Sequence, residues 1–231
     1  MAPKNTLLSW SSGKDSAWAL HVLRKRSDVE VMGLVTTVNQ VHQRVAIHAV
    51  RLALLQRQAE AVRLPLHIID LPSPCTNYQY EQAMAVFIEQ SKQRGIDCMA
   101  FGDLFLADIR EYREAKLSGT GITPLFPLWQ MPTDKLAKEM ISSGLRAVIT
   151  CVDPQQLPVN FAGREFNRQF LAELPAHVDP CGERGEFHTF AFDGPMFANA
   201  VNIEVGEFVE RDGFGYADVL PVAQHEATLG V

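Results

Sequence analysis

The stretch LLSWSSGKDSAWAL, residues 7–20, decides how this chain is read. An apolar run leads into Ser11-Ser12-Gly13-Lys14-Asp15-Ser16, and a second apolar run with helical spacing follows. The pattern predicts a buried strand over 5–10, a tight loop, and a helix over 15–26. Small residues let backbone N–H groups converge on one anion, and a helix start adds its positive end. Ser11, Ser12 and Ser16 bring hydroxyl donors, Lys14 a charge, and Asp15 a helix cap or a Mg²⁺ contact. The common P-loop is excluded. It needs a Gly, four residues, then Gly-Lys-Ser/Thr, whereas Asp15 follows Gly13-Lys14 and Leu8 holds the earlier glycine position. A capped helix start after a strand accounts for the same residues without any phosphate.

Working outward, the chain alternates two periodicities. VEVMGLVTTV (29–38), LHIID (66–70) and CMAFG (98–102) read as strands, ITPLFPLW (122–129) as a short strand broken by two prolines, and LRAVITCV (145–152) as a last central strand. Helical spacing covers 48–63, 77–94, 105–117 and 133–143, the last with Thr133 as expected N-cap. Repeated βα units with continuous apolar strands predict an α/β fold: a mostly parallel sheet with helices on both faces. Ligands bind such sheets beyond the carboxyl ends of the strands. That rule puts the loops after Trp10, Thr36, Asp70, Gly102 and Val152 on one rim. The expected division is an α/β domain carrying this loop over 1–152, the ATP-binding one on the resemblance given below, and a smaller C-terminal α+β region over 153–231. The latter shows a short helix near 164–173 and an antiparallel hairpin turning at Asp212-Gly213.

Composition narrows the function classes. With 47% hydrophobic residues over 231 positions, a core forms without disulfides or metals. The four cysteines, at 75, 98, 151 and 181, make no CxxC pair, which points to a reducing, cytoplasmic protein. Cys98 and Cys151 lie in apolar runs and are expected in the core. A net charge of -6 weighs against a nucleic-acid partner, which demands clustered Lys and Arg. The densest basic run, Arg24-Lys25-Arg26, falls at a predicted helix end, where the helix dipole accounts for it. No apolar stretch approaches the roughly 18 residues of a membrane span. No long apolar segment follows Lys4, so a signal peptide is not expected.

SSGKDS resembles the SGGxDS pyrophosphate loop of the N-type ATP pyrophosphatases, also called adenine nucleotide alpha hydrolases. This chain departs from it in having Ser12 where glycine is usual, a change compatible with the loop if φ is negative. CGERGEFHTF (181–190) is similar to the GExGEFHT motif of the diphthine–ammonia ligase (diphthamide synthetase) family, and TPLFPLW (123–129) resembles that family's TPLW segment. Gln130 stands where the family often has glycine. FGDLFLADIREYRE (101–114) lies where the family places a strand and a substrate-facing loop and helix. The resemblance covers about 5–195, and its details look like the bacterial branch of the family.

The resemblance implies a Rossmann-like (HUP-type) sheet, ATP and Mg²⁺ as cofactors, and an ATP-dependent, AMP-forming amide ligase. A carboxylate would attack the α-phosphorus, pyrophosphate would leave, and ammonia would then displace AMP. Ser11, Ser12, Gly13, Lys14, Asp15 and Ser16 would cradle the phosphates, with Val35 and Thr36 against adenine. His48, Gly102 and Asp103 would line the nucleotide pocket. Asp15, Glu183, Glu186 and His188 are the implied catalytic group, with Asp15 and Glu183 as Mg²⁺ contacts. Plainer readings stand beside these: a charged turn for Glu183 and Glu186, a half-buried strand histidine for His188, a helix cap for Asp103. Tyr112, Arg113 and Glu114 would face the acceptor, and Trp129 would wall the site or simply pack. The partners are ATP, ammonia and an unidentified carboxylate, with no membrane; a homodimer is left open. Two other readings keep the loop: a tRNA-modifying enzyme, which needs a basic face, and a non-enzymatic adenine-nucleotide-binding module.

Overall fold

The computed structural model of the protein describes residues 2–39, 44–45 and 50–222. In chain order the elements are β1 (Lys4–Ser9), α1 (Lys14–Arg24), β2 (Val29–Asn39), β3 (Arg44–Val45), α2 (Leu52–Val62), β4 (Leu66–Leu71) and α3 (Asn77–Gln93). Then come β5 (Cys98–Ala100), α4 (Ala107–Leu117), β6 (Thr123–Leu125), α5 (Thr133–Ser142), β7 (Arg146–Val152) and a 3₁₀ turn (Val159–Phe161). The chain closes with α6 (Arg168–Glu173), β8 (Phe187–Asp193), β9 (Ile203–Arg211) and β10 (Phe214–Pro221).

The predicted parallel sheet forms in the order β4-β2-β1-β5-β6, with β3 added antiparallel at the end of β2. The chain winds outward from β1 through β2 to β4, then returns to the other side of β1 with β5. The switch in strand order therefore falls between β1 and β5, where open α/β sheets bind ligands. Neighbouring strand residues point to opposite faces, and the core divides accordingly. Leu8, Leu34 and Ala100 join α1 and α2 in one cluster. Val35, Met99 and Phe101 join Ile88 of α3 and Leu117 of α4 in another. Helices thus cover both faces, as expected.

The second sheet, β8-β7-β10-β9, is antiparallel. It corrects one expectation: β7, read as a last strand of the parallel sheet, pairs with β8 and β10 instead. Its end lies beside Glu186, whose carbonyl accepts the Asp153 amide (3.0 Å). The predicted hairpin between β9 and β10 is present, with Asp212 and Gly213 both at positive φ (53° and 82°). Phe166, Phe187 and Phe190 share one buried cluster with Trp18, Leu20 and Leu54, so the second sheet packs on the α1–α2 face. That explains why α1 is buried nearly all round, from Ser16 to Leu20 and again at Leu23. Thr133 is not the cap of α5: Pro132 holds that position, and the Thr133 hydroxyl donates to Asp179 (2.7 Å).

Candidate functional site

β1 delivers the chain to the switch point, and the loop 11–13 turns it into α1. The Ala17 amide donates to the Gly13 carbonyl (3.1 Å), the first helical bond. The Lys14 amide is taken by the Thr189 hydroxyl (3.0 Å). The Ser16 amide has no acceptor within the helix, as at any helix start, and can face an anion, while the Asp15 amide is engaged by its own carboxylate. Ser11 and Ser16 exchange a hydroxyl hydrogen bond (3.2 Å), and the Ser16 hydroxyl also reaches the Gly13 carbonyl (3.0 Å).

The loop is braced from behind. The Ser12 carbonyl accepts from the Ala191 amide of β8 (2.9 Å) and from Gln58 Nε2 (2.9 Å). Gln58, buried in α2, also reaches the Ala191 carbonyl and accepts from Trp10 Nε1 (2.8 Å). Ser12 sits at φ 70°, so the condition that its φ be negative is not met. Its buried hydroxyl has no partner among the described residues. Gly13 has an ordinary negative φ (-82°), but a Cβ there would stand 3.2 Å from the Thr189 carbonyl. The glycine answers crowding, while the serine holds the conformation that favours glycine.

Lys14 does not point at open space. It is 2% exposed, and its ammonium contacts both Asp15 carboxylate oxygens (2.8 and 3.1 Å) and the Cys181 carbonyl. It lies 5.4 and 5.6 Å from the ring centres of Phe187 and Phe166. Burial pulls the Lys14 pKa down, but Asp15, with help from Glu183, outweighs it and holds the group protonated above its ordinary value. Lys14 therefore fastens the loop to the segment 181–187.

That segment carries the other implied residues. Glu183 Oε1 accepts the amides of Leu104 (2.7 Å) and Phe105 (3.3 Å), in the loop that follows β5. Burial pushes its pKa up to about 7, against those two amides and Lys14; the charge of Asp15 adds to the rise. Glu186 is 1% exposed, and its oxygens take the amides of Asp179 and Arg184 (2.9 Å each). Asp179 in turn accepts from the amides of Cys181 (2.9 Å) and Glu183 (3.3 Å). His188 lies on β8 opposite Cys151; burial and then Lys14 push its pKa down to about 4, so it is neutral at pH 7.

The β5 rim completes the arrangement. A Cβ on Gly102 would stand 3.0–3.1 Å from the backbone of Asp15 and Ser16, so a glycine lets the loop after β5 pack against the helix start. Asp103 is not a helix cap. It forms a two-bond ion pair with Arg113, through Nε (2.5 Å) and Nη2 (3.1 Å). Val35 and Thr36 are buried at the adjoining rim, and the Val35 carbonyl accepts the Trp10 amide (2.7 Å). Trp129 packs under Arg110, whose guanidinium lies 4.7 Å from its ring. Gln130 sits at φ 60° and donates its amide to the Leu104 carbonyl (2.7 Å), tying the TPLFPLW segment to the same rim. His48 lies outside the described residues. Sequence reasoning missed Thr189, Gln58 and Asp179. The first is the threonine of the GEFHT stretch, and its position in that motif was the available signal; nothing local marks the other two.

Among the described residues no three His, Cys, Asp or Glu side chains converge to hold a metal. Asp15 is committed to Lys14, so the chain offers no preformed cage for Mg²⁺. That ion is ordinarily held by substrate phosphates, water and one or two carboxylates.

A parallel sheet with a serine- and glycine-rich helix start at its switch point defines a nucleotide-binding α/β enzyme. The diphthamide synthase N-terminal domain family matches residues 4–119, and its C-terminal domain family matches 132–221. The chain is 28% identical to the diphthine–ammonia ligase of Bos taurus and 27% identical to that of Homo sapiens, each over 90% of this chain and 86% of the relative. It is 30% identical to the diphthine–ammonia ligase of Danio rerio, over 70% of this chain and 69% of the relative. The chain belongs to the diphthamide synthase family, and it is an ATP-dependent ligase. No helix among the described residues is long and apolar enough to cross a membrane.

Proposed function

We propose that this chain joins ammonia to a carboxylate through an acyl-adenylate. A carboxylate oxygen attacks the α-phosphorus of ATP; the bond to the β-phosphate oxygen breaks and pyrophosphate leaves. Ammonia nitrogen then attacks the acyl carbon, the acyl–oxygen bond breaks, AMP leaves, and nitrogen sheds a proton to solvent. The observation that carries this reading is the serine- and glycine-rich start of α1 at the β1–β5 switch, whose positive end would favour the charge gained by a leaving pyrophosphate. Val35 and Thr36 would border adenine, as the neighbouring rim residues. Lys14, fully engaged behind the loop, would position it rather than grip phosphate. Glu186 would shape the 179–186 segment, and neutral His188 would line the site without carrying charge.

Mg²⁺ would come with the nucleotide and draw charge from the phosphates. Glu183, with Oε1 on the Leu104 and Phe105 amides, has its other oxygen to offer it. The four cysteines are free, three of them buried, which fits a cytoplasmic enzyme. The net charge of -6 disfavours the tRNA-modifying reading, which needs a basic face.

The test is product analysis with ATP, ammonium and a panel of carboxylates. AMP and pyrophosphate are expected, and Asp15→Ala, which takes the carboxylate from the buried Lys14 ammonium that fastens the loop, is expected to lower pyrophosphate release at least about a hundredfold, the scale of misplacing a positioned group. ADP as product, or unchanged release by a folded Asp15→Ala protein, rejects the mechanism.

A further inference from the structure

The start of α1 brings no free cation to a phosphate chain. Lys14 is committed to Asp15 and to the Cys181 carbonyl. On the rim after β5, Asp103 holds Arg113 and Glu114 holds Arg110. The loop 11–16 and the segment 179–186 carry four acidic side chains, Asp15, Asp179, Glu183 and Glu186, against two basic ones, Lys14 and Arg184. A polyphosphate placed there meets mostly like charge, and Lys14 is already engaged.

Arg184 differs from the others. It is exposed, and among the described residues its guanidinium has no carboxylate partner; it lies 5.4 Å from the centre of the Phe105 ring. A guanidinium on an aromatic face keeps its N–H donors for another ligand. Its backbone, by contrast, is fixed. The Arg184 amide donates to Glu186 Oε2 (2.9 Å), and the Gly185 amide donates to the Gly182 carbonyl (3.1 Å), closing a tight turn. Gly182 sits at φ 68°, and a Cβ there would stand 2.8 Å from the Phe187 carbonyl oxygen, so the turn requires glycine. Arg184 is thus a free cation on a braced turn, at the position that the GExGEFHT pattern leaves open.

Two connections place this turn at the phosphate end of the site. The Lys14 ammonium touches the Cys181 carbonyl, three positions before Arg184. Phe105, beside Arg184, ends a short loop whose first residue, Gly102, packs on the backbone of Asp15 and Ser16. Three residues of chain span at most about 11 Å, so Phe105 stays close to the start of α1. Glu183 ties the turn to the same loop through the Leu104 and Phe105 amides. A guanidinium held there suits phosphate oxygens, which its fork can meet two at a time.

We propose that Arg184 is a catalytic residue: its guanidinium binds the β- and γ-phosphates of ATP, and so the pyrophosphate that leaves, and offsets the charge gained as the α–β bond breaks. The inference rests on the ligase reading above, and it names the cation that Lys14 does not supply.

The test is equilibrium binding of inorganic pyrophosphate, α,β-methylene-ATP and AMP, each with Mg²⁺, to the full chain and to its Arg184→Ala and Arg184→Lys variants. Arg184→Ala is expected to weaken pyrophosphate and α,β-methylene-ATP about tenfold or more, the scale of a lost charge-assisted contact, and to leave AMP affinity unchanged. Arg184→Lys is expected to fall between, because it keeps the charge and loses the fork. The side chain is exposed, so neither variant opens the core, and AMP binding reports an intact site. Unchanged pyrophosphate affinity in Arg184→Ala, or an equal loss for AMP, overturns the proposal. Product analysis separates the two failures. AMP formed by the wild type, with pyrophosphate affinity untouched by Arg184→Ala, rejects Arg184 alone. ADP formed by the wild type rejects the ligase reading, and the binding ratios still decide the phosphate contact.

Discussion

The loop 11–16 and the segment 179–186 meet across Lys14, and they treat their backbone amides in opposite ways. The first has small side chains and the positive end of a helix, which can receive an anion from outside. The second supplies its own anions. Asp179 and Glu186 together take the amides of Asp179, Cys181, Glu183 and Arg184, and Glu183 reaches across to those of Leu104 and Phe105. Paired glutamates in a glycine-rich motif look like a metal site or an acid–base pair. Here one of them, Glu186, is a structural brace, because both of its oxygens are occupied. On the proposed function, chemistry falls to the first loop and to Glu183, and rigidity to the rest of the second.

The sharpest way to break this contrast is Glu186→Ala. It strips the acceptors from two amides, one of them buried, at about 1–3 kcal/mol per unsatisfied group, so urea denaturation should show a loss of roughly 2–4 kcal/mol. Wild-type stability would mean that the segment is not self-braced.

Glu183→Gln tests the functional half of the contrast. The carboxyl ionises near pH 7, so activity that depends on its charge rises through that pH. The glutamine variant keeps an acceptor for the Leu104 and Phe105 amides and should lose that rise. The linked stability has a definite sign. Because the folded pKa lies above the ordinary 4.5, ionisation of Glu183 disfavours the fold increasingly from pH 4.5 to about 7 and constantly above it. Relative to wild type, Glu183→Gln should therefore gain stability across that window. An unchanged pH–rate profile would reduce Glu183 to a second brace.

The smallest effects concern the two positions where the family's glycine is replaced. Ser12 and Gln130 keep left-handed backbones, at φ 70° and 60°. Ser12→Gly and Gln130→Gly should each raise stability by about 0.5–1 kcal/mol, Ser12→Gly more, since it also removes a buried, unpartnered hydroxyl. Destabilisation by Ser12→Gly would show that the hydroxyl has a partner in solution.

Much of the fold was legible because its signals are local. Continuous apolar runs, helical spacing and an Asp-Gly turn placed the parallel strands, the helices and the β9–β10 hairpin within a few residues. The loop and the GExGEFHT-like stretch were legible as motifs. The sheet to which β7 belongs was not, because an apolar strand buried on both faces reads alike in either sheet, and its partners lie far along the chain. The helix-cap reading of Asp103 failed for a similar reason: its partner, Arg113, comes ten residues later, on a helix whose orientation no local pattern reports.

Lys14 shows most plainly where the two sources part. Residues 7–20 alone specify strand, turn and helix, since small residues at a strand end and a positive helix terminus follow from local sterics and dipoles. Where the ammonium goes depends on Cys181, Phe166 and Phe187, more than 150 positions away. Only the packing of the antiparallel sheet on α1 brings them there. A buried cation needs a carboxylate, a carbonyl and aromatic faces together, and no stretch of sequence holds all of them.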